Sequence, residues 1–169
     1  PRSLLLLAKS VIVIAIPYVP HPYPKTLFEG LNIALYANGL DYHDWFNEKL
    51  QGIIQKLQSY WPEEKYLALT DSKPFLERDF AKTAGLGWFG KNANVLIEGA
   101  GSFFVLGSVI TTAPLIINEK PVADGCGACR RCIDACPTGA IVEPGTVDAA
   151  KCLAWLIQKP GVFDRKYRE

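Results

Sequence analysis

Methionine is absent from the 169 residues, histidine occurs only twice, and one cysteine, Cys152, stands outside a single short segment. No apolar run reaches membrane length. The longest, Leu4–Ile16, contains Lys9 and Ser10, stops at Pro17, and falls short of the ~20 residues a spanning helix needs. It reads as a buried strand, and neither a membrane span nor a secretory leader is expected. Charge of one sign is lacking too: 18 basic and 17 acidic residues leave a net +1, which neither demands nor excludes a nucleic-acid partner. A disulfide framework is excluded by placement, because four of the five cysteines fall within 11 residues, too close to staple distant parts of a core. That usage points to a reducing compartment, the cytoplasm. A chain without methionine that starts at Pro1 is expected to be a piece of something longer. Its 49% apolar content is enough for a real core.

What is present is CGACRRCIDACP, which sets Cys126, Cys129, Cys132 and Cys136 at C-x2-C-x2-C-x3-C-P spacing. C-x2-C pairs also suit tetrahedral zinc, but zinc sites couple two such pairs or add distant histidines. Three cysteines at two-residue spacing followed by Cys-Pro fit a four-iron, four-sulfur cluster, with the fourth cysteine reaching a second cluster. Cys152 is either a small buried hydrophobe or the partner of Cys136 on that second cluster, and the ligand shortfall favours the second. Two clusters still leave three positions unfilled, so another C-x2-C-x3-C run is expected beyond Glu169. Gly127 and Gly139 would let backbone amides approach the sulfides.

Upstream, SVIVIAIPY (10–18) reads as a strand and apolar spacing predicts helices over 26–38 and 42–60. A short strand follows over 66–70, then a turn at 71–74 opening a helix to about Thr83. Strands over 94–98 and 103–112 should form a hairpin through the GAGS turn. Short helices are expected after Cys129 and over 147–157. Alternation of strand and helix argues for an α/β (α+β) domain with a mixed or largely parallel sheet over 1–120, followed by a partial ferredoxin-like iron–sulfur domain over 121–169.

Clusters that transfer electrons do no substrate chemistry, so a second site belongs upstream. Asp71 follows a strand directly, where open α/β sheets hold ligands, although the residues alone favour a duty as cap of the next helix. In DYHD, Tyr42 and His43 sit at a helix start, and capping explains that stretch equally; with so few histidines, His43 is the candidate for proton exchange near neutral pH. Gly85, Gly87 and Gly90 spell G-x-G-x-x-G, yet they follow a helix, which argues against a dinucleotide fingerprint. They suit a loop whose backbone approaches a large ligand, with Lys91 and Asn92 free to bind phosphate or amide groups.

The order SVIVIAIPY, LDYHDWF, DSKPFLERDFAKTAGLGWFGKN, GSFFVLGSVITT and VADGCGACRRCIDACPTGAI resembles the epoxyqueuosine reductase family over nearly the whole chain. The resemblance implies reduction of epoxyqueuosine to queuosine at the wobble position of a tRNA anticodon, by cobalamin supplied with electrons from two 4Fe-4S clusters. It makes Asp71 the general acid and His43 a second proton donor or substrate contact. It lines the corrinoid with Tyr42, Gly85, Gly87, Lys91, Asn92, Ser102 and Gly107, and assigns Cys126, Cys129, Cys132, Cys136 and Cys152 to the clusters. Partners implied are the tRNA anticodon loop and an external low-potential electron donor, with the enzyme a cytoplasmic monomer. Two alternatives share features with this reading: a corrinoid reductive dehalogenase, which tends to place tyrosine at the proton-donor position, and a ferredoxin-type electron-transfer module that binds no corrinoid.

Overall fold

The structure, a computed structural model, describes residues 1–18, 34–37, 40–71, 73–117, 120–162 and 165. The chain divides into two compact units, one of residues 1–87 with 97–122 and one of residues 88–96 with 123–169. The second unit thus recruits residues 88–96 from the stretch that the sequence reading gave to the first domain. No helix among the described residues is long and apolar enough to cross a membrane.

In the first unit, β1 (Ser10–Pro17), β2 (Tyr66–Leu69) and β5 (Phe104–Thr111) form a sheet of order β1-β5-β2. β5 is antiparallel to both neighbours, with Ile12 and Ala68 both opposite Val109. The expected mixed or largely parallel sheet is therefore corrected: every described strand pair is antiparallel. The cause is an insertion. β1 and β2 run the same way and are joined through a helix, as a parallel unit would be, but β5 returns between them and takes both pairings.

That helix, α1 (Tyr42–Tyr60), starts at the Asp41 cap, whose side chain accepts the His43 N–H, and ends at Trp61 ahead of Pro62. A residue before proline is disfavoured from the helical region, so the stop is local. Phe46, Leu50 and Ile54 recur every four residues and bury one stripe against Val109, with Ile12, Ile14, Ile16, Ala68 and Val105 around them. Burying side chains such as Phe46 and Leu50, both fully enclosed, contributes roughly 1.5–3 kcal/mol each. Gly107 on β5 makes room for this packing: a Cβ there would lie 2.8 Å from the Phe46 ring. The opposite sheet face is closed by Leu69 and Ile110 with Ala8, Leu4, Leu5 and Phe75. Of the long N-terminal apolar run, then, only the part from Ser10 is strand, and the leucines before it fold back over the sheet.

The helix expected over 26–38 lies largely outside the described residues, of which only a 3-10 turn at Leu35–Ala37 is seen. α2 (Glu77–Thr83) begins several residues after Asp71. The hairpin expected between 94–98 and 103–112 does not form. Val95–Leu96 (β4) pairs instead with Trp88–Phe89 (β3) in the second unit, and contact across the GAGS turn is a single bridge, Ile97 to Gly101. β5 has no edge left for β4, because β1 and β2 occupy both.

The second unit adds α3 (Arg131–Asp134), a hairpin of β6 (Ile141–Glu143) and β7 (Thr146–Val147), and α4 (Leu153–Leu156). The hairpin was not expected, and α4 is shorter than the expected 147–157.

Candidate functional site

Asp71 occupies the turn after β2 in a left-handed conformation, φ +48°. For a non-glycine residue this costs about 1–2 kcal/mol, and aspartate is among the types that tolerate it. It is not a helix cap: the residue preceding α2 in the capping position is Leu76, and no side chain caps that helix. The capping reading of Asp71 is thereby removed.

Instead Asp71 meets the start of α1. The Tyr42 hydroxyl donates to Asp71 Oδ2 at 3.4 Å. Burial, reinforced by the negative charge of Asp71, pushes the Tyr42 phenol up to about 12, so it keeps its proton and acts as a donor. His43 stacks on Tyr42 with ring centroids 4.0 Å apart. Its Nδ1 lies 2.7 Å from Asp41 Oδ1. A carboxylate has no proton to give, so Nδ1 carries the hydrogen and Nε2 is left for other partners. Asp41 accepts from the His43 backbone as well, and these two bonds hold its carboxyl below the usual range. Capping and orientation of the imidazole are thus one arrangement.

Beyond Tyr42 the aromatic contacts continue to Tyr36 at 6.3 Å, from there to Tyr18 at 6.3 Å, and on to Phe103 at 6.1 Å. Tyr18, Tyr36, Tyr42 and Trp45 line a cavity of about 250 Å³ with Leu35 and Leu40.

Glu77 completes this corner, and sequence reasoning missed it. Half-buried in the first turn of α2, it accepts the backbone N–H of Asp71, while its Oε1 is buried with no partner. Burial first, then the charge of Asp71, raise its carboxyl to about 7, against the Asp71 N–H and the charge of His43. In sequence, an acidic residue in a first helical turn looks like a complement to the helix dipole; nothing there signals that the side chain is desolvated.

The sign of the consequence is fixed. Unfolded, a glutamate titrates near 4.3. Between there and about 7 the folded chain binds more protons than the unfolded one, so the stability held below the unfolded value is lost as pH rises through 7. Glu77→Gln removes this dependence: after a discount for partial exposure, the variant gains about 1–2 kcal/mol over wild type between pH 5 and pH 8. Urea midpoints at four pH values check it, and parallel curves for the two proteins would contradict it.

Other candidate residues have different surroundings. Gly85 runs against the backbone of Lys120 and Gly107 lies under Phe46, so both carry packing duties. Gly87 is buried and Ser102 half-buried in the turn before β5. Lys91 and Asn92 belong to the second unit. The Lys91 ammonium donates to the carbonyls of Gly127 and Cys129, and Asn92 Oδ1 accepts the Asn94 N–H.

The five cysteines are unpaired thiols. Among the described residues no three His, Cys, Asp or Glu side chains gather around one ion. A cubane asks for something else, since each iron takes one thiolate and the sulfurs of its ligands stay apart. Two features fit such a cluster. The indole N–H of Trp88 is buried without a partner, and its ring packs on Gly125, where a Cβ would lie 2.6 Å from it, one residue before Cys126. Cys136 Sγ accepts the Ala140 N–H at 3.3 Å. The backbone N–H of Ile141, with Ala140 and Thr138, draws its thiol down to about 7, the direction that favours a thiolate ligand.

Unpaired thiols at ferredoxin-type spacing, with backbone donors on the Cys136 sulfur, are the features of an iron–sulfur protein. Residues 1–72 match the family described as "Epoxyqueuosine reductase QueG, DUF1730", and residues 125–169 match the "4Fe-4S double cluster binding domain". The epoxyqueuosine reductase of Cyclobacterium marinum is 40% identical over 156 residues, which are 92% of this chain and 50% of that protein. The solved structure of epoxyqueuosine reductase from Streptococcus thermophilus matches with a TM-score of 0.90 at 34% identity, over 99% of this chain and 46% of that one. An epoxyqueuosine reductase crystallised with a tRNA-Tyr epoxyqueuosine-modified tRNA stem loop matches at 0.85 and 31% identity, over 99% and 45%. The chain belongs to the epoxyqueuosine reductase family. It spans about half the length of the curated relatives it matches.

Proposed function

We propose that the protein reduces epoxyqueuosine to queuosine at the wobble position of a tRNA, as an iron–sulfur oxidoreductase of the cytoplasm supplied by an external low-potential donor. The observation that carries the reading is Asp71: a strained, non-capping aspartate at a strand end, held by Tyr42 and Glu77 beside an aromatic cavity. Removing an epoxide oxygen consumes two electrons and two protons and releases water. Bound clusters supply electrons one at a time. Cys126, Cys129 and Cys132 would hold the first cluster, and Cys136 with Cys152 would contribute to the second.

The chain's own residues handle the protons. Asp71, once protonated, gives that proton to the oxygen as the strained C–O bond opens, where a developing alkoxide is otherwise costly. Tyr42 keeps the Asp71 carboxyl in place. Glu77, raised to about 7 by burial, sits beside Asp71 as the nearest group able to exchange a proton near neutral pH. His43, its Nδ1–H held by Asp41, presents Nε2 as an acceptor for substrate and, in the imidazolium form, as a second proton donor. The aromatic cavity suits a planar base extruded from its stack.

Cobalamin enters through family membership. Of the residues that the resemblance assigns to the corrinoid, Tyr42 lines the 250 Å³ aromatic cavity, and the proton chemistry above uses only this chain's own side chains.

The test is turnover. The natural full-length protein, reconstituted without oxygen and given a strong reductant, is expected to convert an epoxyqueuosine-containing anticodon stem loop to its queuosine form, read by mass spectrometry as the loss of one oxygen. Full cluster content with no conversion sinks the reading.

A further inference from the structure

One cation holds the cysteine loop from outside. Lys91 sits at the tip of the β3–β4 hairpin, which is closed by Gly90 N–H to Asn94 O at 2.8 Å and Ala93 N–H to Gly90 O at 3.0 Å. Its own carbonyl accepts the Gly145 N–H, from the turn between β6 and β7, at 2.9 Å. Its ammonium donates to Gly127 O at 2.7 Å and Cys129 O at 2.9 Å. A single residue therefore joins three segments of the unit. Of the neighbouring cations, Arg130 is paired with Asp134 at 3.3 Å.

The two carbonyls belong to the peptide units 127–128 and 129–130. In a trans peptide the C=O and N–H point to opposite sides. Turning both carbonyls onto the ammonium therefore turns the N–H groups of Ala128 and Arg130 away from it, on either side of Cys129. Neither N–H has a backbone partner among the described residues. A cation bonded to a carbonyl also polarises that peptide and strengthens its N–H as a donor. Donors beside cluster sulfurs favour the reduced, more negative state, and hydrogen bonding to sulfur is one of the levers that set cluster potential.

We infer that Lys91 is a positioning residue for the cluster bound by Cys126, Cys129 and Cys132: it presents the N–H groups of Ala128 and Arg130 to that cluster and, with its own charge, raises the cluster's reduction potential. The role depends on the iron–sulfur domain alone and holds whatever substrate receives the electrons.

The experiment compares Lys91→Gln and Lys91→Arg with wild type in the natural full-length holoprotein, by iron and sulfide analysis and by redox titration followed with electron paramagnetic resonance. Lys91→Gln keeps a hydrogen-bond donor and loses the charge. At the wild-type midpoint potential its reduced-to-oxidised ratio is expected to fall about tenfold, which is 59 mV for a one-electron couple, with the second cluster unmoved as an internal control. Lys91→Arg is expected to stay within about twofold of wild type. Loss of iron from the glutamine variant alone also supports the charge. An unshifted midpoint in Lys91→Gln at full iron content overturns the inference, and so does an equal shift or equal iron loss in Lys91→Arg. Failure of either kind leaves the epoxide assay untouched, so the two readings fall separately.

Discussion

Asp71→Ala is expected to abolish most turnover while leaving the protein folded and its clusters full. General acid catalysis by a positioned group contributes roughly 10²–10⁴-fold, and the loss should fall in that range, in kcat more than in KM. Asp71 is exposed, and its left-handed backbone is better suited to aspartate or asparagine than to alanine. Asp71→Asn is therefore the cleaner variant: it preserves the turn and the approach of Tyr42, and it cannot deliver a proton. Equal losses in both variants with unchanged iron would locate the defect in proton delivery. Wild-type turnover in Asp71→Asn would remove the acid from the mechanism. The pH profile adds a second reading, because a proton held at Glu77, near 7, should make turnover fall on the alkaline side in wild type and shift that limb in Glu77→Gln.

Cys136→Ser is expected to cost half the iron and sulfide and all of the electron delivery. The spacing sends the fourth cysteine of the run to a different cluster from the first three. The local surroundings differ: Cys136 has its own donors, from Ala140 and Ile141, with Thr138 beside it, while Cys126 and Cys129 lie in the loop gripped by Lys91. Serine preserves size and some hydrogen bonding but gives no thiolate. Retention of the first cluster's spectrum with loss of the second is the expected signature in the natural full-length protein. Loss of all iron would mean that the two sites assemble as one.

Local signals in the sequence were enough for α1, whose Phe46, Leu50 and Ile54 mark one face and whose Asp41 and Pro62 mark its ends. They were enough for β1, with its β-branched run, and for the iron–sulfur character of the cysteine segment, where residues 125–169 match a 4Fe-4S double cluster binding domain. Sheet order was not local. β5 lies far along the chain from both neighbours, and only its insertion between β1 and β2 makes their helix-linked alternation antiparallel.

The corner around Asp71 divides the same way. Tyr42 and His43 could be picked out because they stand together at a helix start, whereas removing the capping reading of Asp71 needed the geometry of α2. Glu77 gave no signal because burial is a tertiary property. Lys91 was read as a contact for a ligand's phosphate or amide, since its true partners are 36 and 38 residues away and are backbone carbonyls, which no side-chain pattern announces.

The excursion of residues 88–96 into the cysteine unit and back has a consequence for how the gene can be divided. The polypeptide passes from one unit to the other three times, after 87, after 96 and after 122. A scissors cut near residue 120, the natural place for two modules strung in series, would strand the Lys91 hairpin on the wrong product. A gene fragment meant to carry the cysteine unit whole has to supply residues 88–96 together with 123–169.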